Sequence, residues 1–142
     1  MLTVASMIIP FQTIMIPVVK NFSSLDLTDN LFAVIFFYMG AHVAMAVFMY
    51  HGFIKGIPYE LEEAAMIDGC GHMRLLFQIL FPMLKPITST IVILDVLAIW
   101  NDFLYPLLVL QTKKNQTLTL VQYVFRSEAN TQWNLIFASY VL

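Results

Sequence analysis

Long apolar runs alternate with short polar stretches along this chain. A bilayer hydrocarbon core of roughly 30 Å is crossed by about 20 mostly apolar helical residues. Leu31–Tyr50 fits that length best, with 18 of 20 residues apolar and Gly40 and His42 as the exceptions. Ile87–Leu110 is longer and holds Asp95, Asn101 and Asp102, yet stays hydrophobic enough to span. Met1–Val19 is broken by Pro10 and Pro17 and carries Gln12. Prolines are tolerated in membrane helices whose neighbours re-satisfy the freed carbonyls. This run lacks a basic start and a small-residue cleavage site, so it reads as a kinked span rather than a signal peptide. A fourth run, Leu135–Leu142, is too short to cross. The pattern predicts an all-α polytopic membrane bundle forming one domain over 1–142. Its spans fall at about 1–19, 31–50, 87–110 and 135–142, the last unfinished, so the chain reads as a piece of a larger polytopic protein. No internal repeat, low-complexity segment or soluble domain boundary interrupts the pattern.

The polar stretches are Lys20–Asn30, Gly52–Pro86 and Gln111–Asn134. The middle one is longer than a simple connection requires, and it is patterned. Pro58 suits the first turn of a helix, where a missing N–H is harmless. Glu60, Glu62 and Glu63 follow near the positive end of the helix dipole. Leu61, Ala64, Ala65 and Ile67 supply helix formers and a partial apolar stripe. Gly69 stands where a C-terminal cap belongs, and Gly71 keeps the turn open. A second helical stretch, His72–Leu80, leads to Pro82, and Pro86 opens the next span. The expected shape is a short helix, a glycine turn and another short helix at the membrane surface. Such a hairpin is either a structural elbow or a docking element for a soluble partner. The acids favour docking, because they crowd into one turn with few adjacent bases.

Composition narrows the class. Residues of apolar type make up 60% and charged residues 11%, against about 45–50% and about 25% in soluble domains. The mean hydropathy is +0.80. Both values argue against a soluble enzyme and against disorder, which needs low hydrophobicity and high net charge. With 7 Lys+Arg against 9 Asp+Glu the net charge is −2, so no nucleic-acid surface is implied. The single cysteine, Cys70, excludes an intrachain disulfide and a Cys-based zinc site. His42 and His51 lie nine apart and project to opposite sides of a helix, and no metal site is expected. The chain has no phosphate-cradling glycine loop and no nucleophile beside a base. Lys and Arg number one, three and three in the three polar stretches, which does not orient the chain.

Asp95 and Asp102 are the acids inside an expected span. Seven residues apart, they fall on nearly one helix face at about 100° per residue. Charges in a bilayer usually face a bundle interior or a water-filled path. A proton relay, a helix–helix polar contact and an acid near the interface all follow from that logic.

Glu63-Ala64-Ala65, three residues, Gly69, nine residues, then Ile79-Leu80-Phe81-Pro82 resembles the EAA loop of ATP-binding-cassette importer permeases. That family's pattern is EAA, three residues, G, nine residues, I-x-L-P, and the departure here is Phe81 for leucine. The surrounding PYELEEAAMIDG resembles the carbohydrate-uptake class, and Trp100-Asn101-Asp102-Phe103 resembles that class's WN-[DE]-F segment. Pro10, Pro17 and Asn30 upstream, and Thr117-Leu118 and Trp133 to Ala138 downstream, also fall at the usual positions, so the resemblance covers nearly the whole chain. Cys70 stands where a small alanine is common.

The resemblance implies a non-catalytic subunit of a dimeric membrane pore in a bacterial or archaeal plasma membrane. Its partners would be a companion permease subunit, two cytoplasmic ATPases and an extracytoplasmic solute-binding protein. Residues 52–86 would be the cytoplasmic coupling loop. Glu63, Ala64, Ala65, Asp68, Gly69, Ile79 and Pro82 would form the ATPase-coupling site. Asp95, Trp100, Asn101 and Asp102 are the candidate pore or substrate-path residues, with Trp100 or Tyr105 conceivable as sugar-stacking rings. No cofactor is expected. A permease for another solute class, or an ion-coupled carrier using Asp95 and Asp102, is the competing reading.

Overall fold

The computed structural model describes residues 7–125 and 133–141, and the regular structure among them is helical throughout. The helices are α1 (Phe11–Ser24), α2 (Leu31–Ile54), α3 (Tyr59–Ile67), α4 (His72–Met83), α5 (Lys85–Asn101), α6 (Leu104–Val109), α7 (Leu118–Phe125) and α8 (Trp133–Val141). Contacts divide the chain into two compact units, one holding His42–Val96 and the other holding Ile9–Ala41 with the segment from Leu97 onward. Among the described residues α2 is the one helix long and apolar enough to cross a membrane; α4 and α5 pass the same test together, bent by 63°. Residues 1–6 of the first expected apolar run lie outside the described residues.

Several helix ends depart from the expected ones, each for a local reason. Helix α1 runs four residues past Lys20, into the stretch expected to be loop, because Val18, Val19 and Phe22 share a face that packs on the core. Helix α2 starts where expected, its first turn capped by the Asn30 side chain, which accepts from the N–H groups of Phe32 (2.9 Å) and Ala33 (3.4 Å). It continues to Ile54, past the expected end at Tyr50. The expected helix 87–110 divides at Asp102–Phe103 into α5 and α6. There the Asp102 carboxylate accepts from the Leu104 N–H (3.0 Å) and the Tyr105 N–H (3.5 Å), so a new helix begins where the old one stops. Within α4, Leu75–Leu80 winds as a wider π-helical stretch. It precedes Pro82, which has no N–H to donate and crowds the carbonyl four residues back. Pro86 produces the break at Leu84 by the same chemistry, and the bend follows.

The core of the second unit forms around Tyr105, Val109 and Val34, with Leu110 and Leu120. Tyr105 is 1% exposed. Its ring stacks on Phe37 at 3.8 Å and meets Phe11 and Phe22 edge-on at 5.8 and 6.0 Å. Such aromatic pairs contribute about 0.5–1.5 kcal/mol each beyond area burial. A ring closed in this way has no face left for a sugar, which corrects the stacking role conceivable for Tyr105 from sequence. In the first unit, Ala65, Leu75, Leu84 and Ile91 are buried, and α3 packs against the π-helical stretch of α4.

Candidate functional site

The EAA segment folds as α3 and the turn that ends it. Pro58 precedes the helix in an extended conformation, and Glu60 and Glu62 occupy the first turn. Gly69 has φ of 78°, a left-handed conformation that only glycine adopts without cost. Its N–H donates to Met66 O (3.0 Å), and the Cys70 N–H donates to Ala65 O (3.0 Å). This pair of bonds is a glycine-terminated helix end and satisfies two otherwise orphaned carbonyls. Glu63, Ala64, Asp68 and Gly69 are exposed, whereas Ala65 is buried against the rest of the unit. Ile79 is half-buried and Pro82 exposed, both on α4. Ile67 is 85% exposed and Met66, Tyr59 and Leu61 also face outward, so α3 presents an acidic and apolar surface that the unit itself leaves uncovered.

The intrahelical acids have partners that sequence reasoning did not name. Asp95 Oδ1 lies 2.9 Å from His42 Nδ1, with the two side chains 29% and 25% exposed. In the other unit, Tyr38 donates its hydroxyl to Asp102 Oδ2 at 2.8 Å. Asp102 therefore divides its two oxygens between α2 and the first turn of α6, and its backbone carbonyl accepts from Thr119 Oγ1 at 3.0 Å. Tyr50 and Thr88 bring their hydroxyls to 2.8 Å. Asn101 turns its amide back on its own helix, donating to Leu97 O at 2.7 Å, and Trp100 is exposed. Asp95 is thus engaged within the first unit, and Asn101 and Asp102 within the second. The signal for the partners was present in the sequence: Tyr38 and His42 sit one turn apart on an apolar helix, and polar groups so placed require partners on a neighbouring helix. Among the described residues, no three His, Cys, Asp or Glu side chains gather as for a metal.

A third polar cluster joins the loop after α1 to the loop after α6. Asp29, at φ of 59°, accepts through its carboxylate from the Thr112 hydroxyl, the Thr112 N–H and the Gln111 N–H, while its carbonyl accepts from Asn115 Nδ2. The Asp29 N–H donates to Val109 O at 2.8 Å. Donation from the Thr112 hydroxyl, and then from the Thr112 N–H, holds the Asp29 carboxyl below its usual range. A depressed carboxyl contributes stability that is complete above the ordinary value and is lost as pH falls through the lowered one. The melting temperature of the wild type should therefore exceed that of Asp29→Asn near neutrality. The difference should shrink below about pH 4. A difference independent of pH from 6 to 3 would refute this account of the clamp.

Among the described residues the regular structure is helical, with one apolar helix long enough to span, a bent second candidate and a glycine-ended acidic helix between them. Residues 1–142 match the family described as binding-protein-dependent transport system inner membrane component, and the chain belongs to that family. It is 42% identical over 135 residues to the probable starch degradation products transport system permease protein AmyC of Thermoanaerobacterium thermosulfurigenes, covering 95% of this chain and 49% of that protein. It is 40% identical to the melibiose/raffinose/stachyose import permease protein MelC of Bacillus subtilis, over 97% of this chain and 50% of that protein. The multiple sugar-binding transport system permease protein MsmG of Streptococcus mutans is 38% identical over 99% of this chain and 51% of its own length. The chain spans about half the length of the curated relatives it matches. No solved structure matches it.

Proposed function

We propose that this chain is part of a membrane-spanning permease subunit of an ATP-binding-cassette importer for sugars or oligosaccharides. The observation that carries the reading is the complete EAA spacing on an exposed helix closed by Gly69, in a chain whose relatives bear the names of sugar permeases. The segments 1–19, 31–50, 87–110 and 135–142 enter the bilayer, and the loop 52–86 is cytoplasmic. There α3 docks in a cleft of one of two ATPases. Glu63 pairs with a basic side chain, the exposed Ala64 permits close approach, Ala65 anchors the helix on its own unit, and Gly69 turns the chain out of the cleft. ATP binding draws the two clefts together as rigid bodies. A helix wedged in each must follow, so the attached spans rock between inward- and outward-open states. A companion permease completes the path, an extracytoplasmic binding protein delivers the sugar, and hydrolysis belongs to the ATPases.

The ion-coupled alternative rests on Asp95 and Asp102. Each carboxylate is engaged, by His42 in one case and by Tyr38 and the start of α6 in the other, which supports structural roles for both. Uptake of radiolabelled raffinose and maltotriose into proteoliposomes holding the intact importer separates the readings. Uptake should require internal ATP and survive collapse of the proton gradient by an uncoupler. Uptake that stops with the gradient while ATP is maintained would overturn the ATP-driven reading and favour the carrier.

A further inference from the structure

The break between α5 and α6 opens a small pocket that none of the roles above uses. It is lined by Phe103, Thr119, Gln122, Tyr123 and Tyr140, with a volume of about 210 Å³. We propose that this pocket binds one pyranose ring of the transported sugar, an inference that rests on the sugar-importer reading above.

Ligand sites combine apolar and aromatic walls with a few placed polar groups, and this pocket has that make-up. Phe103 and Tyr123 stand 4.9 Å apart with their planes tilted by 51°, so together they form an angled aromatic wall. Tyr123 and Tyr140 are 59% and 62% exposed, leaving ring faces uncovered. A pyranose offers the matching surfaces: a face of C–H bonds that lies on an aromatic ring, and a rim of hydroxyls that both donate and accept. Gln122 supplies an amide at that rim. Its Nε2 donates to Ser139 O at 3.1 Å, which fixes the side chain. Among the described residues nothing donates to its Oε1, and that atom can take a sugar hydroxyl proton. Thr119 is held by donation to Asp102 O and by Thr117 Oγ1, each at 3.0 Å, so its oxygen is also a fixed member of the wall. Among the described residues no Asp, Glu, Lys, Arg or His lines the pocket, and its polar side chains Thr119 and Gln122 are neutral, as suits a neutral polyol. The volume lies below the ~300–1,000 Å³ of sites for drug-sized ligands, so one ring fits and the rest of an oligosaccharide projects outward. The aromatic member of Trp100-Asn101-Asp102-Phe103 in the pocket is Phe103, not Trp100.

Saturation-transfer NMR on the intact membrane complex, without binding protein and with raffinose or maltotriose as probe, tests the assignment. The wild type should transfer saturation to sugar ring protons. Tyr123→Ala should lower the signal about two- to tenfold, the scale of an aromatic contact converted to affinity. Gln122→Leu, which keeps the volume, should do likewise, and Tyr123→Phe should retain it. Unchanged signals in Tyr123→Ala and Gln122→Leu overturn the pocket, as does a wild type silent with both sugars. Proteoliposome uptake distinguishes the two possible failures. ATP-driven sugar uptake with no signal from the pocket defeats the pocket alone, whereas no sugar uptake defeats the importer reading with it.

Discussion

Gly69→Val in the intact importer is expected to cut sugar uptake by more than about tenfold, whereas Gly69→Asn should stay near wild type. The argument is conformational rather than steric. A Cβ built at Gly69 meets nothing within 4 Å, so a side chain has room. The φ of 78° is the obstacle. A β-branched residue there costs about 1–2 kcal/mol or more, whereas asparagine tolerates the left-handed region. To escape that cost the chain must leave the left-handed turn, and the bonds from Gly69 to Met66 and from Cys70 to Ala65 would go with it. Helix α3 would then fray at the end from which the loop departs. A shift of about 1.4 kcal/mol in docking is tenfold in occupancy. Glu63→Arg tests the same interface through charge, since Glu63 is exposed and its reversal leaves the turn intact. The ATPase should co-purify with the wild type and be released by Glu63→Arg. Full uptake in Gly69→Val, or full ATPase retention in Glu63→Arg, would defeat the coupling role.

The second large effect is expected at His42 and Asp95. His42→Leu leaves the Asp95 carboxyl without its 2.9 Å partner on a largely apolar helix pair. An unpaired charge at the centre of a membrane helix costs about 2.5–3.5 kcal/mol on insertion scales. The side chains are 25–29% exposed, which lowers the expected loss to about 1–3 kcal/mol. Asp95→Leu removes the same contact from the other side and should cost less, since it leaves no carboxyl behind. The double variant His42→Leu/Asp95→Leu should recover part of the loss, because it removes the carboxyl that His42→Leu alone leaves without this partner. Thermal unfolding of the purified complex in detergent, run as a double-mutant cycle, measures this directly. Strictly additive losses would mean that the two side chains do not interact. Transport in the double variant above that of either single one would further argue against a proton path through Asp95.

The expected loop helix and its stop were legible because local chemistry specifies them. Proline at the start, acids in the first turn and glycine at the end all act within a few residues. The boundaries that moved did so under longer-range forces. Helix α1 outran Lys20 because Phe22 gains a place beside Phe37 and Tyr105, a contact no local pattern announces. The division at Asp102 was hidden because Ile87–Leu110 stays hydrophobic enough to span despite its polar residues, and hydropathy does not register a carboxylate that starts a second helix.

By itself the sequence determined that the chain is helical, that its apolar runs suit a bilayer, and that one polar segment carries a glycine-ended acidic helix. Those properties depend on composition and on spacings of a few residues, which periodicity records. Only the tertiary structure decided that Asp95 belongs to His42 and Asp102 to Tyr38, that Asp29 clasps the Thr112 loop, and that Tyr105 is sealed in the core while Phe103 lines a pocket. A buried polar group must find its partner wherever packing brings one within hydrogen-bonding distance. Those partners lie 53 to 83 residues away along the chain, a separation at which spacing carries no information about which groups meet.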